Sequence, residues 1–237
     1  MGRRNLILGR IRRHFILMHN VFFISLQRTG SNYIEVILNK NTEGLTFRGY
    51  LANISKHFFP QDMGLFETAG TQQDAFVAIV KNPYMWVESI CWNTEMNKET
   101  QKELWFGPFE KYKVQDNADL NGYNLPNLVN MYKDFYSQWV EYIKDKDIQI
   151  LRYEDFLFKD KAKVVCKKVV SEIGHGQVKS NFKLHDKSVR YSRGFTKEDL
   201  DYYKKEEPTK LSKENIKTIN TILGSAFIEE LGYEVIA

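Results

Sequence analysis

Phe22-Phe23-Ile24-Ser25-Leu26-Gln27-Arg28-Thr29-Gly30-Ser31-Asn32-Tyr33 is the stretch on which the reading of this chain turns. Its apolar first half has the character of a buried strand, and Gly30, flanked by Arg28 and small hydroxyl residues, marks a turn. Ile34, Val36, Ile37 and Leu38 then begin a helical pattern. Strand, glycine turn and helix N-terminus in that order make an anion site. Backbone N–H groups converge on the turn, and the helix dipole favours negative charge there.

The remaining chain repeats the alternation. Ala75-Phe76-Val77-Ala78-Ile79-Val80 is a second continuous apolar run, as expected of a strand buried on both faces of a parallel sheet. Lys81-Asn82-Pro83 ends it, and Pro83 is placed to open a helix whose core side carries Trp86, Val87, Ile90 and Cys91, with Ser89 nearby. Between the two strands, 45–59 is a mixed segment and 61–74 reads as loop. Residues 107–126 hold two glycines and two prolines and read as a long connection. Leu128, Tyr132, Phe135, Trp139 and Tyr142 recur at helical spacing and predict an amphipathic helix over 126–145, its aromatic stripe read as core. Ile148–Leu151 is a third short strand, followed by Arg152-Tyr153-Glu154-Asp155 and a helix over 160–173. Residues 175–195 are polar and basic. Thr196-Lys197-Glu198-Asp199 resembles a capped helix start, and Ile216, Ile219, Ile222, Leu223, Phe227 and Leu231 close the domain.

Strands alternating with helices predict an α/β fold, a single domain with a mainly parallel central sheet flanked by helices. Ligands of such sheets bind at the carboxyl ends of strands, a rule that collects Arg28, His57, Lys81 and Tyr153 on one edge. The domain is expected over 21–237, after a basic lead-in at 1–20. Residues 1–34 contain six arginines and no acidic residue, against a net charge of only +4 for the 237 residues. That lead-in reads as a solvated basic arm, a membrane-surface or targeting segment, or a source of positive potential beside the turn. No stretch has the ~20 apolar residues of a membrane span, and Leu6-Ile7-Leu8 is too short for a signal sequence, so the chain is expected to be soluble and cytoplasmic. Cys91 and Cys166 lack metal-ligand spacing and the five histidines form no H-x-x-x-H pair, so no metal site is expected.

The anion remains to be named. A Walker A loop aligned on Gly30 puts Ser25, Ser31 and Asn32 where its first glycine, its lysine and its magnesium-binding hydroxyl belong. All three features are missing.

Arg28-Thr29-Gly30-Ser31-Asn32-Tyr33 instead resembles the 5′-phosphosulfate loop of sulfotransferases that use 3′-phosphoadenosine 5′-phosphosulfate (PAPS), with Arg28 where many members carry Lys. Val80-Lys81-Asn82-Pro83-Tyr84 through Ser89 is similar to that family's 3′-phosphate motif, with Lys81 in place of an Arg. Lysine keeps the charge and loses the bidentate fork. Tyr153 stands where the family's tyrosine contacts adenine, and Leu231-Gly232-Tyr233-Glu234 looks like the end of bacterial and carbohydrate-type members. The resemblance covers about residues 21–235 and implies a P-loop-like three-layer sandwich. It also implies a metal-independent transfer of a sulfuryl group from PAPS to a hydroxyl or amine acceptor, releasing adenosine 3′,5′-bisphosphate.

The carried-over roles follow. Arg28 and the backbone of Thr29, Gly30, Ser31, Asn32 and Tyr33 would neutralise the 5′-phosphate. Lys81 and Ser89 would take the 3′-phosphate, joined by Arg193 and Gly194, a partial match to the family's C-terminal basic loop. His57, in Lys56-His57-Phe58-Phe59-Pro60, is the expected general base, with Glu67 as its alternative and Lys56 as an assistant to Arg28 at the leaving group. The resemblance tilts the acceptor toward a glycan or glycolipid, and no nucleic acid is expected as a partner. Two other readings stay open: a P-loop-type kinase or NTPase with a degenerate loop, and a non-enzymatic polyanion-binding module.

Overall fold

The computed structural model describes residues 19–26, 28–51, 54–55, 57, 75–92, 120, 123–143, 149–185 and 195–237. Strand β1 (His19–Ser25) leads through the glycine turn into helix α1 (Ser31–Asn41), then β2 (Thr42–Glu43), β3 (Leu45–Arg48), β4 (Tyr50–Leu51) and β5 (Ile54–Ser55). Strand β6 (Ala75–Val80) and helix α2 (Pro83–Cys91) follow, and then the long helix α3 (Leu125–Ile143). Strand β7 (Gln149–Arg152), a 3₁₀ turn (Tyr153–Leu157), α4 (Lys159–Ile173) and β8 (Gln177–Val178) come next. Helices α5 (Lys197–Lys205), α6 (Lys213–Leu223) and α7 (Ser225–Glu230) complete the chain.

The central sheet is four-stranded in the order β3-β1-β6-β7, and each of its pairings is parallel. The α/β expectation holds, with helices on both faces. Alternation explains why the apolar runs are continuous. Val21 and Phe23 of β1, with Val77 and Ile79 of β6, pack on one face against Ile34 and Ile37 of α1 and Cys166 and Val169 of α4. Phe22, Ile24, Ala78 and Val80 point the other way, into a core built with Trp86 and Val87 of α2, Tyr132 and Phe135 of α3 and Ile219 of α6. Period two along a strand with both faces covered makes the central positions of both strands apolar.

Three differences from the sequence reading have physical causes. The mixed segment at 45–59 contributes β3 to the sheet. As an edge strand it buries Leu45 and Phe47 and leaves Arg48 exposed, so it lacks a continuous apolar run. The closing helical pattern is two helices, α6 and α7, broken at Gly224, which has φ +79°. The basic segment after 175 includes β8, which pairs antiparallel with β2.

Strand order fixes where a ligand can sit. The chain leaves β1 toward β3 on one side and returns to β6 on the other, so neighbouring strands β1 and β6 send their connections apart and open a crevice at their carboxyl ends. Pairing of the two strands ends with Ser25 opposite Ile79. The next backbone groups are satisfied by one side chain: the Tyr136 hydroxyl donates to the Ile79 carbonyl at 2.7 Å and accepts from the Leu26 amide at 3.4 Å. One turn earlier on α3, the Tyr132 hydroxyl donates to the Lys81 carbonyl at 2.7 Å. Both rings are buried, as are Leu128, Phe135 and Trp139 of the same helix, so these residues of α3 are core, and the two hydroxyls satisfy backbone groups at the carboxyl end of β6. Among the described residues no helix is long and apolar enough to cross a membrane.

Candidate functional site

The turn after β1 is tightly specified. Arg28 adopts φ +66°, a left-handed conformation that a side-chain-bearing residue rarely takes. The Thr29 hydroxyl donates to the Leu26 carbonyl at 2.8 Å and closes the turn. Gly30, at φ +76°, is the N-cap of α1 and offers no side chain to its first amides; the first turn of that helix also carries no acidic residue. Both features suit an anion at the helix start.

Gly30 is also required by packing. A Cβ there would stand 2.1 Å from Cε2 of Tyr153, whose ring lies against the turn. Tyr153 is buried, edge-on to Tyr33 and to Tyr203. Tyr33 donates its hydroxyl to the His185 carbonyl at 3.0 Å and packs edge-on to Phe195. The side chains of Tyr33 and Tyr153 therefore join an aromatic cluster beneath the turn and do not line the neighbouring cavity. Ser31 is buried and Asn32 exposed.

The turn after β6 is built as firmly. The Asn82 side chain accepts the amides of Tyr84 and Met85, at 3.1 and 3.3 Å, and Pro83 occupies the first position of α2, as its sequence predicted. The Asn82 amide donates to Glu154 at 3.1 Å, and the Tyr233 hydroxyl donates to the same carboxylate at 2.9 Å. Glu154 is thus a buried clamp that ties the Lys81–Pro83 turn to the closing Leu231-Gly232-Tyr233. Burial raises its pKa, with the Lys81 charge and the two hydrogen bonds pulling it back down.

Lys81 is the unusual member. It is only 3% exposed, yet among the described residues its ammonium donates one long hydrogen bond, 3.4 Å to the Tyr203 hydroxyl. The faces of Tyr153 and Tyr203 lie 5.5 and 5.2 Å away and supply cation–π attraction. A buried ammonium with three donors is costly unless paired, and rings offset only part of that cost.

Lys81 faces a cavity of about 300 Å³ at the carboxyl ends of β1 and β6, shared with Arg28, Ser89 and Lys210. Met85, Glu88, Ser89 and Trp92 supply one wall of it. They stand at i, i+3, i+4 and i+7, the face of α2 opposite its core residues. Tyr202, Tyr203, Thr209 and Lys210 supply another wall from α5 and the turn beyond it. Three cationic side chains against one carboxylate, with aromatic rings beside them, suit a ligand that carries negative charge and a flat ring. The Ser89 hydroxyl donates to the Trp86 carbonyl at 2.8 Å, which leaves its oxygen facing its surroundings as an acceptor.

The structure therefore brings together Arg28, Lys81 and Ser89, three of the residues singled out in the sequence. His57 is on the same edge of the sheet but is not among the cavity's lining residues: its Nδ1 lies 2.6 Å from the Ser25 carbonyl. A carbonyl can only accept, so Nδ1 carries the proton and Nε2 is the basic nitrogen of the neutral ring. The Ser25 hydroxyl is buried and has no hydrogen-bond partner among the described residues. Lys56, Glu67, Arg193 and Gly194 lie outside the described residues. No grouping of His, Cys, Asp and Glu that could hold a metal occurs among the described residues.

Sequence reasoning missed Glu88, Tyr202, Thr209 and Lys210. The helical spacing of Met85, Glu88, Ser89 and Trp92 was the available signal for the first; the other three come from a segment more than a hundred positions away. Compared with known proteins, the chain matches no family model, no curated protein and no solved structure.

Proposed function

We propose that this protein is a sulfotransferase that moves a sulfuryl group from PAPS to a hydroxyl or amine acceptor, a glycan or glycolipid being the acceptor class favoured by the sequence resemblance. The observation that carries the reading is Lys81, a buried cation with one long hydrogen bond, meeting Arg28 and Ser89 in one cavity at the β1/β6 crevice. Cations from two separate strand ends suit a ligand with two anionic groups, and the ring-bearing walls suit its base.

The donor supplies a sulfuryl group already attached to a phosphate leaving group. The rest falls to the chain. Arg28 would neutralise charge on the 5′-side, with the amides that open α1 adding the positive end of the helix dipole. Lys81 and Ser89 would hold the 3′-phosphate. His57, fixed in orientation by the Ser25 carbonyl, would take the acceptor's proton on Nε2. Positioning and charge stabilisation are the main contributions such a transfer asks of a protein.

Calorimetry tests the reading directly. Adenosine 3′,5′-bisphosphate is expected to bind at least about tenfold tighter than ADP or Mg-ATP, the difference one charge-assisted hydrogen bond supplies. Lys81→Met should abolish that preference. No binding at high micromolar ligand, or equal preference for ATP, rejects the proposal; salt-sensitive binding to any polyanion in its place favours a simple binding module.

A further inference from the structure

Glu88 is the acidic residue among those that line the cavity, and it is only 5% exposed. A carboxylate in a wall shared with Arg28, Lys81 and Lys210 opposes the binding of an anion, so another role must outweigh that repulsion. Its hydrogen bonds identify one. One oxygen accepts from the Tyr202 hydroxyl and the other from the Lys210 amide. Burial first, and then Glu88 itself, push the Tyr202 hydroxyl's pKa up, so Tyr202 remains a donor at physiological pH. Helix α5 has no fully buried residue; Leu200 and Tyr203 pack partly buried against the core. Polar ties add to that packing: Lys81 to Tyr203, Asn82 to the Glu206 carbonyl, Arg152 to the Glu206 carboxylate, and Glu88 to Tyr202. Glu88 also lies among cations that would otherwise repel one another across the cavity.

We propose that Glu88 is a positioning residue: by holding the Tyr202 hydroxyl and the Lys210 amide it brings Lys210 and Thr209 to the cavity as a third anion-binding element. The inference rests on the reading of this cavity as a bisphosphate site and extends it with residues remote in sequence. Glutamine at position 88 loses the charge that strengthens both bonds and replaces one acceptor oxygen with a nitrogen that can only donate, so Glu88→Gln weakens the hold on Tyr202 and Lys210. Tyr202→Phe removes one tie without altering any charge.

The test is calorimetry on the full chain, with adenosine 3′,5′-bisphosphate and inorganic pyrophosphate as probes over a range of salt concentrations. Lys210→Ala should weaken binding about tenfold, the worth of one charge-assisted contact, and should flatten the salt dependence. Glu88→Gln and Tyr202→Phe should weaken binding in the same direction, and Glu88→Gln should flatten the salt dependence as Lys210→Ala does. The double variant Glu88→Gln/Lys210→Ala should lose no more than the worse single variant, because both remove one interaction. Wild-type affinity in Lys210→Ala or Glu88→Gln, or losses that multiply in the double variant, overturns the proposal. If Glu88→Gln does not fold, wild-type affinity in Tyr202→Phe overturns it instead. Pyrophosphate binding with this pattern, without binding of the bisphosphate, rejects the sulfotransferase reading and supports the role of Glu88. Binding of neither probe overturns both.

Discussion

Gly30 has two reasons to be glycine, and a pair of alanine substitutions separates them. Its φ of +76° puts any L-residue in the left-handed basin, and its missing Cβ leaves room for the Tyr153 ring. Gly174, the C-cap of α4, has nearly the same backbone, φ +72°, with nothing within 4 Å of an added Cβ. Gly174→Ala should therefore incur only the conformational cost, about 1 kcal/mol. Gly30→Ala adds a methyl group 2.1 Å from Cε2 and 2.2 Å from Cδ2 of a buried ring, so the ring has to move. Tyr33 and Tyr203 stand edge-on to that ring, which makes the displacement resemble overpacking, about 1–3 kcal/mol more. Urea unfolding of the two variants measures the difference, about 2–4 against about 1 kcal/mol of lost stability. The displaced ring also lies beside Lys81, so Gly30→Ala should weaken anion binding while Gly174→Ala does not. Equal destabilisation of the two variants would refute the packing account and leave backbone conformation as the whole reason for Gly30.

Arg28→Gly and Arg28→Ala remove the same guanidinium, but only glycine accepts φ +66° without strain; thermal unfolding should find the glycine variant the more stable by up to about 1 kcal/mol, while calorimetry shows both losing the ligand. His57→Ala should keep bisphosphate affinity and lose sulfuryl transfer, measured by release of the bisphosphate; unchanged turnover would move the base to Glu67. For Glu154, burial raises the folded-state pKa above the usual 4.5, so the folded protein holds a proton that the unfolded chain has released. Stability from this group is therefore present at low pH and falls as pH rises above the ordinary carboxylate range toward the folded-state value. Glu154→Gln can retain a bond to the Asn82 amide, so denaturation across acid to neutral pH should find its stability flatter than that of the wild type.

Much of the fold was legible because burial on both faces leaves a strong mark. Ala75–Val80 is apolar at every position, so its two ends could be read directly, and Pro83 after Asn82 announced the helix that follows. The edge strand β3 lacks that mark: Thr46 and Arg48 face away from the core, and two buried residues in four do not distinguish a strand from a turn. Tyr153 shows a different limit. Its position after a strand gives no sign that its ring packs on Gly30, a residue more than a hundred positions earlier. Contacts of that separation leave no local periodicity.

Helix α2 shows why half of the candidate site was hidden and half was not. Its core face, Trp86, Val87, Ile90 and Cys91, is uniformly apolar and reads as a stripe. Its other face, Met85, Glu88, Ser89 and Trp92, has the same helical spacing but joins an apolar side chain, a carboxylate, a hydroxyl and an indole. No hydropathy pattern connects them, because what they share is a cavity: Met85 and Glu88 are buried beside it, and Ser89 and Trp92 only partly. Ser89 could be found only through its fixed distance from Lys81. Glu88, one residue earlier, had no such anchor: its partners Tyr202 and Lys210 lie 114 and 122 positions away. The charge that appears wrong for an anion site becomes intelligible only once those partners are seen, as the acceptor that holds a distant cationic segment against the helix.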